Sequence, residues 1–365
     1  MNILVFGAGA IGTYVGGSLI LRGDRITFIE QPQAVDEITR RGLYLDLSAA
    51  QRKPSPTDTQ SSIVDLHPHI VLPPSYFYCV PSLEEALYLG PYDIAIFALK
   101  SFDTQAVIES FHPFLSDLPP FLCLQNGVEN EIALANALGS GHVIAGTVTS
   151  AVSRRNIGEV VLERLRGIGV ELGHPISRRL VYILNEAGLN AQVFTSSAEM
   201  KWSKMLTNLL ANATSAILDM TPAQVFAHPG LYDLEIKQLL EALQVMEAQN
   251  LRVVNLPGTP VRLLALAARL PQVLSKPLME WNVGKGRGGK MPSFHIDLHS
   301  GRGKSEVGYL NGAVARFGKR LGVPAPINGF LTEILLSLTE GATPLEMYTH
   351  NPEALLGSLG NELEN

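Results

Sequence analysis

Only two cysteines, Cys79 and Cys123, occur in 365 residues, and both sit among apolar neighbours. A disulfide framework or a thiolate metal cluster is therefore not expected, and a reducing compartment is. Charged residues are scarce at 17% against 46% hydrophobic, so the chain can bury a substantial core and lacks the composition of a disordered one. Positive charge is not in excess. The formal net charge of −6 argues against a general nucleic-acid or acidic-membrane surface and leaves small anionic ligands to local groups. Long apolar runs are missing too: the stretch 263–274 is too short to span a bilayer and contains Arg269. The first residues carry no basic leader and are needed as a strand, so the expected location is the cytoplasm. No internal repeat or low-complexity segment interrupts the chain.

What is present begins at once. Asn2-Ile3-Leu4-Val5-Phe6 reads as an apolar strand, Gly7-Ala8-Gly9-Ala10-Ile11-Gly12 follows without a spacer, and residues 13–21 continue at helical period. A G-x-G-x-x-G run between a strand and a helix is a dinucleotide-binding signature. Gly7 would permit the tight turn, Gly9 the approach of a pyrophosphate, and Gly12 close packing of helix on strand, with the anion on the helix N-terminus.

At this length two domains are expected. Residues 24–30, 93–99 and 121–125 read as strands and 33–41 and 129–138 as helices, with a polar, proline-containing loop over 51–62. Further strands are expected at 159–163, 168–172 and 191–194. From 197 onward the pattern is helical, at 200–218, 231–249, 261–274, 305–321 and 328–338. The expected fold is α/β: an N-terminal Rossmann-type doubly wound parallel sheet over 1–196 and a mostly α-helical C-terminal domain over 197–365.

Three sets of residues could carry chemistry. Lys204, Asn208 and Asn212 recur at i, i+4 and i+8 and fall on one stripe of an otherwise largely apolar helix. There they either serve a site or tie helices together as a buried amide network. Between Trp281 and Ser305 lie five basic residues against the single acid Asp297, concentrated in the glycine-rich segment 284–290, which either closes on an anion or forms a solvated face. Lys100 and Asn126 lie in loops that follow sheet strands, where ligands of doubly wound sheets bind and where plain turn formers also sit. His67/His69 and His295/His299 have metal-like spacings, but no third ligand is evident near either pair, so no metal is assigned.

Taken in order, Gly7-x-Gly9-x-x-Gly12, Leu99-Lys100, Gln125-Asn126-Gly127, Trp202-x-Lys204-x-x-x-Asn208-x-x-x-Asn212, Pro292-Ser293, Ser305-Glu306 and Leu310-Asn311-Gly312 resemble the successive motifs of the ketopantoate reductases (2-dehydropantoate 2-reductases). The resemblance runs over most of the chain. It implies reduction of the ketone of 2-dehydropantoate, a small 2-oxo acid, to pantoate by a reduced nicotinamide cofactor, in pantothenate biosynthesis. It implies Lys204 as proton donor and Glu306 as holder of the substrate hydroxyl, the two catalytic residues. Asn208, Asn212 and Ser293 would bind the substrate's polar ends, in a cleft between the domains. The loop Gly7, Ala8, Gly9, Ala10, Ile11 and Gly12, with Glu30, Lys100 and Asn126, would bind the cofactor. A homodimer is left open, and no nucleic-acid or membrane partner is implied.

The chain departs from the family pattern where an arginine usually follows the second strand to bind the 2′-phosphate of NADPH. Here Glu30-Gln31 stands instead. NADPH is the family cofactor, Glu30 favours NADH, and Arg25, Arg40 and Arg41 are candidates to replace the arginine. The segments 297–306 and 257–289 are also longer than the family spacing. Two other readings compete: a relative acting on another 2-oxo or hydroxy acid, since β-hydroxyacid dehydrogenases use a similar Lys-x-x-x-Asn stripe, and a nicotinamide-binding sensor without turnover.

Overall fold

The computed structural model describes residues 1–50, 67–276 and 290–364. By its internal contacts the chain divides into two units: Met1–Gln125 with Asn130–Ser197 and Leu256–Thr259, and Asn126–Glu129 with Ala198–Asn255 and Pro260–Asn365. Two short segments thus group with the unit opposite to their chain neighbours, which hydrophobic periodicity does not reveal.

The first unit contains strands β1 (Asn2–Phe6), β2 (Arg25–Ile29), β3 (Leu43–Asp46), β4 (His69–Leu72), β5 (Tyr78–Val80), β6 (Ile94–Phe97), β7 (Phe121–Cys123), β8 (Val143–Val148), β9 (Ala151–Asn156), β10 (Glu159–Arg164), β11 (Ile168–Glu171) and β12 (Ala191–Phe194). Its helices are α1 (Ala10–Arg22), α2 (Pro32–Arg41), α3 (Leu83–Tyr88), α4 (Thr104–Ser110), α5 (Asn130–Leu138) and α6 (Ser177–Glu186). The large sheet has the order β12-β11-β8-β7-β6-β1-β2-β5. Its run from β5 to β8 is parallel throughout. Read from β5, that run has the 3-2-1-4-5-6 order of a dinucleotide-binding sheet, whose strand order reverses between β1 and β6. β11 joins β8 antiparallel and carries β12 alongside. A smaller sheet, β4-β3-β10-β9, packs on the far side of α1. This placement explains why α1 is buried almost all round rather than along one stripe.

β6 is buried along its whole length, as its unbroken apolar sequence requires of a central parallel strand. On one face of the sheet Phe6, Phe97, Phe111 and Phe121 form a cluster with ring centroids 5.4–6.4 Å apart. Such contacts contribute roughly 0.5–1.5 kcal/mol per pair beyond area burial.

The second unit is helical: α7 (Ser197–Leu209), α8 (Asn212–Leu218), α9 (Pro222–Ala227), α10 (Pro229–Ala248), α11 (Val261–Arg269), α12 (Ser293–Leu298), α13 (Asn311–Leu321), α14 (Pro326–Thr339) and α15 (Pro352–Glu364). Three expected helices are corrected. The span 200–218 is two helices, α7 and α8. The span 261–274 is interrupted: α11 ends at Arg269, Pro271 cannot continue the ladder, and helix resumes over residues 272–276. The span 305–321 opens with a 3-10 turn, Glu306–Tyr309, before α13. The polar loop expected at 51–62 lies outside the described residues. Among the described residues no helix is long and apolar enough to cross a membrane.

A buried amide network does tie the helices of this unit, built from residues outside the Lys204 stripe. Asn311 Nδ2 donates to Gln238 Oε1 at 3.0 Å and to Asn328 Oδ1 at 3.1 Å. The Glu241 carboxylate caps the start of α14, accepting from the N–H groups of Ile327 and Asn328 at 2.8 and 2.9 Å and from Asn328 Nδ2 at 2.7 Å. Burial pushes its carboxyl pKa upward against these hydrogen bonds, which favour the charged form.

Candidate active site

In the first unit, strand register sets the geometry. Phe6 pairs with Ile29, so Glu30 leaves β2 level with Gly7 as it leaves β1. Gly7 takes φ +92°, a left-handed conformation open to glycine, and its N–H donates to Ile29 O at 3.0 Å. A Cβ built on Gly12 would stand 1.8 Å from Gly7 O, so only glycine lets α1 start this close to the turn. Around Gly9 nothing lies within 4 Å of the equivalent position. Gly9 also caps α1 without a side-chain hydrogen bond, and the first turn has no acidic residue. The loop is thus an open backbone cradle on a helix N-terminus, which fits a pyrophosphate.

Glu30 stands on this cradle. Its carboxylate accepts from Ala8 N–H at 2.7 Å through Oε2 and from Gln31 N–H at 3.0 Å through Oε1. The three arginines that could stand in for the missing one are engaged elsewhere. Arg40 and Arg41 pair with Glu37 at 2.7 and 2.8 Å, and Arg25 lies over the Tyr78 ring at 5.2 Å. Cys79 of β5 also feels Glu30: burial first, and then the Glu30 charge, push its thiol pKa up to about 12. Native Cys79 should therefore react with iodoacetamide at about pH 8 roughly two orders of magnitude more slowly than an exposed thiol. Glu30→Gln should speed that reaction. Peptide-resolved labelling measures it: wild-type labelling at the rate of an exposed thiol would contradict the burial of Cys79, and an unchanged rate in Glu30→Gln would place Glu30 elsewhere.

Lys100 follows β6, half-buried, where a 3-10 turn begins. A buried polar network joins its loop to the one after β7. Gln125 Nε2 donates to Leu99 O at 3.1 Å and to Thr104 Oγ1 at 2.8 Å. Thr104 Oγ1 donates to Asn130 Oδ1 at 3.2 Å, and Asn130 Nδ2 to Ser101 Oγ at 3.1 Å. These residues hold the Lys100 backbone at the carboxyl ends of the strands. Sequence spacing did not single out Thr104 or Asn130, because a supporting amide looks like any loop residue.

In the second unit the second half of α7 buries Met205, Leu206 and Leu209 and leaves Lys204, Thr207 and Asn208 partly open on one face. Asn208 Nδ2 donates to Asn126 Oδ1 at 3.1 Å. Asn126, expected beside the cofactor, belongs by its contacts to this unit. The chain then bends. Ala211 adopts φ 50°, so Asn212 opens α8 instead of continuing α7. The cause is Glu235, wholly buried on α10, whose carboxylate accepts from Ala211 N–H at 2.7 Å, Thr214 Oγ1 at 2.5 Å and Gln238 Nε2 at 2.6 Å. The bend turns Asn212 toward α12. Its Nδ2 lies 3.3 Å from Ser293 Oγ, and its Oδ1 accepts from Phe294 N–H at 3.1 Å.

Glu306 is buried at the start of the 3-10 turn, where Ser305 Oγ accepts from Val307 N–H at 3.2 Å. The structure thus joins Asn212 to Ser293 and Asn208 to Asn126, while Lys204 and Glu306 stand on separate elements of the same unit. Of the basic segment 284–290, residues 284–289 lie outside the described residues, and Lys290 is exposed.

Two family models match the chain, Ketopantoate reductase PanE/ApbA over residues 3–173 and its C-terminal counterpart over 197–338. The chain is 25% identical to a 2-dehydropantoate 2-reductase of Lactococcus lactis over 348 residues, 93% of this chain and 98% of that one. In fold it is similar to a PanE/ApbA family ketopantoate reductase from Ralstonia eutropha, with a TM-score of 0.73 at 24% identity over 93% of this chain and 99% of that one. The D-mandelate dehydrogenase solved with NADH and anilino(oxo)acetate also has a TM-score of 0.73, at 21% identity over 93% of this chain and 99% of the other.

Proposed function

We propose that this chain, which belongs to the ketopantoate reductase family, reduces the ketone of a small 2-oxo acid, 2-dehydropantoate in the first instance, with a reduced nicotinamide cofactor. The observation that carries the reading is the bent polar stripe: Lys204 and Asn208 on the open face of α7, and Asn212 redirected onto Ser293. A separate amide network of Gln238, Glu241, Asn311 and Asn328 ties the helices of this unit, and within the stripe Asn212 also links α8 to α12.

The reduced nicotinamide supplies the hydride. Hydride addition to the carbonyl carbon leaves the electron pair of the C=O π bond on oxygen as an alkoxide. Lys204 donates a proton to that oxygen, and water reprotonates the amine. Before transfer the ammonium polarises the carbonyl, and afterwards it neutralises the charge, so its stabilisation is greatest where charge develops. Glu306 accepts a hydrogen bond from the substrate hydroxyl, while Asn208, Asn212 and Ser293 donate to its carboxylate.

On the cofactor side the Gly7–Gly12 loop holds the pyrophosphate, with Lys100 at the neighbouring strand end. Glu30 faces the adenosine ribose, where a carboxylate accepts from hydroxyls and repels a 2′-phosphate. With Arg25, Arg40 and Arg41 engaged elsewhere, the preferred cofactor is NADH. The ratio of kcat/KM for NADH over NADPH should exceed about ten and fall by about 10–100-fold in Glu30→Ala, the effect of relieving one like-charge contact of roughly 1–3 kcal/mol. A strong NADPH preference that survives the substitution overturns this assignment.

The function itself is tested by the loss of reduced-nicotinamide absorbance with 2-dehydropantoate beside a panel of aliphatic and aromatic 2-oxo acids. Turnover of 2-dehydropantoate above the rest supports the proposal. Preference for another 2-oxo acid keeps the reaction class and replaces the substrate, and no turnover with any of them, alongside saturable cofactor binding, makes the chain a sensor.

A further inference from the structure

The histidine pair left without a third ligand by its spacing acquires one in the fold. Asp219, which ends α8, lies 76 positions before His295, and its Oδ1 sits 2.7 Å from His295 Nε2. His299, at the end of α12, sets its ring 4.3 Å from the His295 ring, centroid to centroid. One donor atom from each of the three lies within 4.8 Å of the others. On the opposite carboxylate oxygen, His350 Nε2 stands 3.8 Å from Asp219 Oδ2, and the His350 backbone N–H donates to Leu218 O at 2.8 Å.

We infer that Asp219, His295 and His299 form a binding site for a divalent transition-metal ion of the zinc type. Two neutral imidazoles and one carboxylate make a common zinc donor set, with a fourth position left for water. A tetrahedral ion with ligands at about 2.0–2.1 Å separates its donors by roughly 3.3 Å; here one pair stands at 2.7 Å and all three donors lie within 4.8 Å. His350 Nε2 stands beside the far oxygen of Asp219 at 3.8 Å, where an outer-shell group would sit. The backbone agrees. Among the described residues five non-glycine positions have positive φ, and two of them, Asp219 at 50° and His350 at 52°, flank this cluster. Such conformations persist where surrounding structure holds them and concentrate at functional positions.

An ion here would join the C-terminal ends of α8 and α12. The N-terminal ends of the same two helices are joined by Asn212 and Ser293, about 10 Å away along a seven-residue helix. The ion therefore takes no part in hydride or proton transfer, and its work is to hold α12, and with it Ser293, against α8.

Tag-free protein stripped with a chelator tests this. Calorimetric titration with Zn²⁺ should show one equivalent bound, and Co²⁺ should give visible d–d bands with an imidazole and oxygen donor set. His299→Ala, a change at an exposed position, and Asp219→Asn should each weaken binding by about a hundredfold, and bound Zn²⁺ should raise the melting temperature of the wild type but not of the variants. His69→Ala, in the other histidine pair, should leave binding unchanged. No saturable Zn²⁺ binding by the wild type, equal binding by folded His299→Ala, or loss of binding in His69→Ala overturns the inference.

Discussion

Lys204→Ala should lower kcat by about 10²–10⁴-fold, roughly 3–5 kcal/mol of barrier, while the dissociation constant for NADH stays within a factor of about two. The expectation rests on where the ammonium acts. It is one helical turn from Asn208 on the open face of α7, whereas the glycine loop and Glu30 belong to the other unit. Removing it takes away a proton donor and a positive charge together. Lys204→Arg separates the two, because a guanidinium keeps the charge and holds its proton far more tightly. That variant should keep a KM for the 2-oxo acid near the wild-type value and still lose most of kcat. A loss that appears in kcat in both variants marks an interaction made in the transition state. Near-normal kcat for Lys204→Ala at saturating substrate would remove Lys204 from the chemistry and the mechanism with it.

The parts of this molecule legible from sequence are those fixed by local rules. The strand, the glycine turn and α1 follow one another with no intervening residue, and two of the three glycines have a steric reason: positive φ at Gly7, and no room for a Cβ at Gly12. The central parallel strands β1, β6 and β7 were legible as apolar runs, because burial on both faces removes polar alternation. Features set by distant partners were not. The bend at Ala211 is invisible in a stretch with unbroken helical periodicity, since its cause is a carboxylate on α10. Asn126 followed a sheet strand and was expected at the cofactor; its added bond to Asn208, 82 residues away, could not be read from spacing. Asp219 could not be linked to His295 and His299 by spacing, because the fold alone brings α8 beside α12. β3, β4 and β5 also escaped notice, being short strands in segments of mixed polarity, and so did the longer β8 and β9, although β8 is an apolar, buried run.

Glu235→Ala should destabilise the helical unit by about 3–5 kcal/mol, since it leaves three buried donors without an acceptor, at roughly 1–3 kcal/mol each. Glu235 is fully buried, and three donors converge on it from the α7–α8 bend, from α8 and from its own helix. Alanine leaves all three without that acceptor. It also removes the reason for Ala211 to hold φ 50°, a conformation that costs a non-glycine residue about 1–2 kcal/mol. With the restraint gone, α7 gains by running on into α8, and the side chain of Asn212 then leaves Ser293. Glu235→Gln should cost less, about 1–3 kcal/mol, since its carbonyl oxygen keeps one or two of the donors while its amide faces the third. Urea unfolding followed by the fluorescence of Trp202, buried on α7 against the Phe317 ring at 5.2 Å, reads both changes as a shift in midpoint at constant m-value. Because the bend also aims Asn212, the folded fraction of Glu235→Gln should show a raised KM for the 2-oxo acid with cofactor affinity unchanged. Stability within about 1 kcal/mol of wild type in Glu235→Ala would show that the α7–α8 bend is held by packing, and that Glu235 neither makes the corner nor sets the position of Asn212.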